Sequence, residues 1–322
     1  MKKILKYTPL LLLVFPIAFI IQNYPVSSEP KQLNRLSDTL RIRRNLEMIV
    51  NTDKHRMYRN IAVLDTVAER IKNGFSRFSK DVNYQNYIVE GREYKNVIAS
   101  FGPKDAERII IGAHYDVCYN QDGADDNASG VAGLLELAAL LKSDALNYRI
   151  DLVAYTLEEP PYFNTEQMGS YVHAKYLKDN AIPVLGMISL EMIGYYSEEE
   201  DSQDYPFGVL KWIYGNKGNY ITIVQKTMSD DFSRRFKDYY FENNSIIAKG
   251  FRAPSGMGGI DLSDHLNYWK LGYSALMVTN TAFFRNHNYH HNTDKLSTLN
   301  VPQMGLAIDG VYRTIIEMQS NM

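Results

Sequence analysis

The sequence predicts an α/β fold, a mostly parallel mixed sheet flanked by helices on both faces. Three observations predict it. Arg108–Ala113 (RIIIGA), Asp151–Leu157 (DLVAYTL) and Val184–Leu190 (VLGMISL) are near-continuous apolar runs, the pattern of strands covered on both faces. Gly130–Leu141 (GVAGLLELAALL) and Gly169–Leu177 between them have helical length and spacing. Strands that alternate with helices build a parallel sheet with helices packed on its faces. The 322 residues suit one large domain of ~250 residues behind an N-terminal extension. A composition of 45% hydrophobic and 22% charged residues places the chain among globular proteins and excludes a disordered one.

The elements follow in chain order. Lys2, Lys3 and Lys6 form a basic start, and Thr8–Ile21 (TPLLLLVFPIAFII) is an uncharged, mostly apolar run, which reads as an export signal. The run is shorter than the ~20 residues a spanning helix needs, and Pro9 and Pro16 weaken it as a helix. No clear small-x-small cleavage motif and no lipobox cysteine follow, so residues 1–24 read either as a cleaved signal or as an uncleaved membrane anchor. Both readings place the protein outside the cytoplasm: periplasmic, secreted, or tethered to a membrane. Residues 25–33 are polar, carry Pro25 and Pro30, and read as a linker to a domain over 34–322. Leu36–Val50 and Met57–Phe75 have helical spacing; Val82–Val89 and Lys95–Phe101 read as strands. Beyond the central runs, Tyr220–Val224 and Ala275–Thr279 read as strands, and Phe232–Phe241 and Gln303–Met318 as helices. The net charge is -2, from 35 basic and 37 acidic residues with no dominant basic patch, which argues against a nucleic-acid partner. One cysteine, Cys118, excludes an internal disulfide and a cysteine-based zinc cluster, and reads as a small buried hydrophobe.

The residues able to bind a metal gather at strand ends. The first buried run leads into His114-Tyr115-Asp116, the second into Glu158-Glu159, the third into Glu191. Ligands of open α/β sheets sit beyond the carboxyl ends of strands. One charged residue at a strand end is ordinary; three ends that all bear ligand chemistry point to a metal centre. Between the first two strands, Gly123-Ala124-Asp125-Asp126-Asn127-Ala128-Ser129-Gly130 is a glycine-bounded loop that opens into the apolar helix. One capping residue would suffice for that helix; two adjacent aspartates suggest that one carboxylate faces a cation. Asp116, two residues along from His114, points to the same face and can accept the histidine's other N–H.

These motifs, HYD, GADDNASGVAGLLELA and a paired EE after a strand, resemble the M28 zinc aminopeptidases in that family's order, from roughly Leu36 to the C-terminus. The resemblance implies a zinc aminopeptidase-like fold, two zinc ions per chain and a peptide substrate cleaved at its N-terminus. It implies that His114 binds one zinc, that Asp126 bridges both, that Glu158 is the general base and that Glu159 is a ligand. Glu191 stands where the family usually has aspartate. One histidine of the Tyr289-His290-His291 segment would bind the second zinc; the spacing to Asp294 favours His290 over His291, which stands at a position usually held by threonine. The resemblance also implies that two ions ~3.5–4 Å apart share a water of lowered pKa, with Glu158 taking its proton and returning it to the leaving amine. His265 falls in an SDH turn that shapes the pocket without binding metal, while His55, His173 and His287 are expected on solvated faces or loops. Two departures stand out. Pro160–Met168 is a longer, aromatic, proline-stiffened loop expected to wall part of the pocket, and Glu191 is one methylene longer than aspartate.

Three other readings compete. A glutaminyl cyclase shares the fold with one zinc, but the intact DDNASG loop favours the hydrolase. A non-catalytic scaffold tends to lose ligands, whereas every ligand position and the base are filled here. A carboxypeptidase needs a carboxylate pocket, which no arginine or basic cluster in the motifs marks; nor do the motifs show how a free amine is held.

Overall fold

The computed structural model describes residues 23–227 and 230–320; the apolar run Thr8–Ile21, with its export reading, lies outside the described residues. Among them, nine strands form one mixed sheet in the order β1-β8-β7-β9-β6-β4-β5-β3-β2. They are β1 (Ser27–Ser28), β2 (Asp81–Val89), β3 (Arg92–Phe101), β4 (Arg108–His114), β5 (Arg149–Tyr155), β6 (Val184–Glu191), β7 (Ile221–Lys226), β8 (Ala248–Ala253) and β9 (Ala275–Thr279). The helices are α1 (Thr39–Val50), α2 (Ile61–Phe75), α3 (Gly130–Leu141), α4 (Gly169–Asp179), α5 (Leu210–Tyr214), α6 (Asp231–Glu242), α7 (His265–Lys270) and α8 (Val301–Ser320).

The parallel part lies at the centre. β5, β4, β6 and β9 run side by side in one direction, and they include the apolar runs read as doubly covered. Antiparallel pairing is found towards the edges, where β3 pairs with β5 and β2 with β3 on one side, and β7 with β9 on the other. Successive side chains of a strand point to opposite faces, and the two faces have separate cores. Ile109, Ile111, Leu152 and Ile188 face the core that takes in α1, α2, α3, α6 and α8. Ile110, Val153 and Met187 face the smaller core under α4 and α7.

Helix α3 is the pivot of the larger core. Its one charged side chain, Glu136, is fully buried, and Arg41 of α1 closes on it with two hydrogen bonds of 2.6 Å. The same carboxylate accepts the N–H of Asp38, which in turn caps α1 by accepting from Leu40 and Arg41. A charge inside an apolar helix is thereby paired, as burial requires. The segment read as a linker runs against the sheet, with Ser27 and Ser28 of β1 pairing antiparallel with Lys249 and Ala248 of β8. No helix among the described residues is long and apolar enough to cross a membrane.

Candidate metal centre

Four central strands end at one rim of the sheet, and the polar groups there belong to the last residues of those strands and the loops that follow. His114 is the last residue of β4 and Glu191 the last of β6. Glu158 and Glu159 follow β5 after a two-residue extension, Asp126 lies in the loop before α3, and His290 in the loop after β9. All but His290 are almost completely buried, and the His290 side chain retains 26% exposure.

Asp126 stands between the two imidazoles. Its Oδ1 is 3.5 Å from His114 Nε2 and its Oδ2 is 3.4 Å from His290 Nε2. On the first side Glu191 Oε2 is also 3.5 Å from His114 Nε2, with Glu158 Oε2 at 3.8 Å. On the second side Glu159 Oε2 is 3.2 Å from His290 Nε2. His291, the alternative candidate, is exposed and belongs to neither group. Tyr289 stacks on the His290 ring at 3.8 Å and fixes its plane.

Each part is held from behind. Asp116 is buried, and its carboxylate accepts the N–H groups of Glu158 and Glu159, each at 3.2 Å, so it sets the turn that carries both glutamates. The expected contact with His114 is different in kind: Nδ1 lies 3.2 Å from the main-chain carbonyl of Asp116 and 3.6 Å from its carboxylate. Glu191 accepts the Ser263 hydroxyl at 2.7 Å. Asp125 is the structural member of the aspartate pair. Its carboxylate accepts from Gly194 N, Asn280 Nδ2 and Asn286 Nδ2, each at 2.8 Å, which leaves it no role facing a cation. Asp294 accepts the N–H groups of Asp125 and Asp126 at 2.9 and 3.0 Å.

The loop has two glycines for steric reasons. Gly123 has φ of +58°, and a Cβ there would meet Asp126 O at 2.2 Å. At Gly130 a Cβ would stand 2.5 Å from both Asn127 Oδ1 and Leu190 O, at the point where α3 packs against the β6 end. Arg56, from the connection between α1 and α2, is the residue that sequence reasoning missed. It is fully buried and donates to the carbonyls of Tyr115, Asp122 and Gly123 at 2.8, 2.7 and 3.1 Å, which clamps the whole segment between β4 and the aspartates. Nothing in its local sequence distinguishes it. His173 is also a correction: expected on a solvated face, it is buried under α7 with Nδ1 2.6 Å from Tyr268 Oη. A signal for it existed, since Ser170, His173, Ala174 and Leu177 share one helical stripe. His265 is buried in α7, and its Nε2 meets Ile260 O at 2.7 Å.

The donor set suits cations and is poorly satisfied without them. Asp126 Oδ2, Glu159 Oε1 and His290 Nε2 are buried and have no aligned hydrogen-bond partner, a costly state for polar atoms. Burial pushes the Glu159 carboxyl up to about 8, with the Asp126 charge adding to it. Burial also raises Glu158 well above the usual carboxylate range, reinforced by Glu159 and Glu191. Burial acts against the Asp126 charge too, but hydrogen bonding and charge from His114 and His290 hold its carboxyl below the usual range. Imidazole and carboxylate are donors that zinc takes. His114, Asp126 and Glu191 offer donor atoms within 4.8 Å of one another, as do His114, Glu158 and Glu159. A cavity of about 170 Å³ opens over this centre, with Pro160 and Phe163 of the long loop in its wall beside Tyr205, Phe251 and Phe283.

The sequence profile of Peptidase family M28 matches residues 96–315. The uncharacterized protein YfbL of Escherichia coli (strain K12) is 39% identical over 97% of this chain and 98% of its own length. The chain belongs to peptidase family M28. Among solved structures, the Legionella pneumophila LapA aminopeptidase is similar to this M28 chain with a TM-score of 0.68 at 20% identity, covering 88% of this chain and 72% of that one. Porphyromonas gingivalis glutaminyl cyclase is similar with a TM-score of 0.63 at 19% identity, covering 88% of this chain and all of that one. At such identities the two likenesses bear on the fold alone, and the fold is the mixed, helix-flanked sheet expected of the family.

Proposed function

We propose that this M28 chain is a zinc-dependent aminopeptidase that acts outside the cytoplasm and removes residues from the N-termini of peptides. His114, Asp126 and Glu191 would hold one ion, and Asp126, Glu159 and His290 the other. The observation that carries the reading is the position of Asp126, whose two oxygens face two different histidines, each accompanied by a further carboxylate. That is a bridging arrangement, and it favours the two-ion hydrolase over a one-zinc cyclase.

When bound, the zinc pair supplies Lewis-acid polarisation of the scissile carbonyl and lowers the pKa of the attacking water. The chain's own residues do the rest. Glu158 lines the cavity, and burial keeps its carboxyl basic enough to take the water's proton. As the water oxygen bonds to the carbonyl carbon and the C–N bond breaks, Glu158 returns that proton to the leaving nitrogen. Asp116 acts through the main chain, because its hydrogen bonds to Glu158 and Glu159 keep the base and the ligand on their separate sides. Pro160 and Phe163 form part of the wall against which the substrate would lie. Export rests on the basic start and apolar run of residues 1–24, through which the chain would be delivered across, or tethered to, a membrane.

The test is a panel of aminoacyl-chromophore substrates with matched free and N-blocked peptides, run with and without chelator. Hydrolysis of free N-termini alone, lost on chelation and restored by zinc, is expected. Cleavage of blocked peptides would defeat the aminopeptidase assignment, pyroglutamate formation from N-terminal glutamine would favour the cyclase, and turnover indifferent to chelator would defeat the metal assignment.

A further inference from the structure

Cys118 is 1% exposed, yet it belongs to neither apolar core. Its sulfur, a Glu159 carboxylate oxygen and a His290 ring nitrogen all lie within 4.8 Å of one another. The three come from separate segments: the chain after β4, the paired glutamates after β5 and the loop after β9. Glu159 Oε1 and His290 Nε2 are buried there without an aligned hydrogen-bond partner. A thiol whose only role is to fill space has no need to meet two such groups.

We propose that Cys118 is a sulfur donor to the cation held by Glu159 and His290, which makes that half of the centre a mixed nitrogen, oxygen and sulfur site. The inference rests on the metal centre proposed above and adds a ligand to it. Zinc holds sulfur at ~2.3 Å and nitrogen or oxygen at ~2.0–2.2 Å, so donors on one tetrahedral ion stand roughly 3.3–3.7 Å apart. A group within 4.8 Å closes onto an ion by side-chain adjustment. With Asp126, the sulfur brings the His290 side to four protein donors, the count of a closed zinc site, while His114, Asp126 and Glu191 on the other side number three, the count of a site that keeps an open position. The two halves would then differ in task, with the His290 side holding its ion and the His114 side left open to substrate. A thiolate also biases the His290 side towards zinc, cobalt or cadmium over magnesium or manganese.

Zinc-edge X-ray absorption of the full-length, zinc-loaded chain tests this. The parent should show a sulfur neighbour at ~2.3 Å, and Cys118→Ser only nitrogen and oxygen. The cobalt-loaded parent should show a near-ultraviolet thiolate-to-cobalt band; the chain has one cysteine, so the band can come from no other thiol. A zinc-loaded parent with only nitrogen and oxygen neighbours and no such band would overturn the sulfur ligand and leave the metal centre standing. A parent that binds no zinc would overturn both. A sulfur signal that persists in Cys118→Ser would assign it to a methionine and overturn the role of Cys118. The parent spectra decide the matter even if the variant does not fold.

Discussion

Replacing Arg56 with methionine should loosen the metal centre without touching any residue in it. The side chain keeps a similar apolar reach but loses the guanidinium, leaving the carbonyls of Tyr115, Asp122 and Gly123 without their donor. Hydrogen bonds from a charged donor are worth ~1.5–3 kcal/mol each. Part of that is offset by the cost of burying the guanidinium itself. Burial pulls its pKa down to about 10, equivalent to about 3 kcal/mol. The net loss is then roughly 2–6 kcal/mol, which at 2–4 °C per kcal/mol for a domain of this size is a fall in Tm of roughly 5–20 °C. The clamped segment leads directly to Asp126, so zinc affinity should also drop, by ~10–100-fold as for other residues that position ligands. Thermal unfolding by circular dichroism and a competitive zinc titration measure the two effects. Arg56→Lys should recover only part of each, since one ammonium cannot span three carbonyls as the planar fork does. A methionine variant that melts with the parent and binds zinc as tightly would refute the clamp.

Three further outcomes follow from the site. Glu158→Gln should keep both zinc ions and lose hydrolysis by ~10²–10⁴-fold; steady-state rates beside metal analysis check this, and retained turnover would remove Glu158 from the base role. His290→Ala should lower bound zinc from two ions to one while His291→Ala leaves two, since only His290 faces Asp126 and Glu159; equal stoichiometry in both variants would reverse that assignment. Chelation should lower Tm, and zinc at about a thousandfold its Kd should restore ~4 kcal/mol, because the ions occupy buried donors that otherwise lack partners; a Tm indifferent to chelator would count against it.

The centre of the sheet was legible because parallel strands covered on both faces cannot afford polar residues until they end. RIIIGA, DLVAYTL and VLGMISL therefore mark both the strands and the rim where His114, the two glutamates and Glu191 emerge. β8 was not legible: its sequence AKGFRA puts Lys249, Gly250 and Arg252 into a strand, and its pairing with β7 and β1, not its composition, defines it. The short α7 was hidden in the same way, because its polar residues His265 and Asn267 are buried through contacts with Ile260, Met168 and Ser170, far from it in type or in sequence. The division of labour between Asp125 and Asp126 depends on Asn280, Asn286 and Gly194, which only the fold brings to Asp125. Arg56 is the extreme case, since a residue that acts solely through main-chain carbonyls leaves no pattern of side-chain types to read.

Anomalous diffraction at the zinc edge from crystals of the loaded chain bears most directly on the two-ion centre. Two peaks ~3.5–4 Å apart, one beside His114 and Glu191, the other beside His290 and Glu159, with Asp126 between them, are the predicted result. A single peak, or a pair that Asp126 does not join, would contradict it.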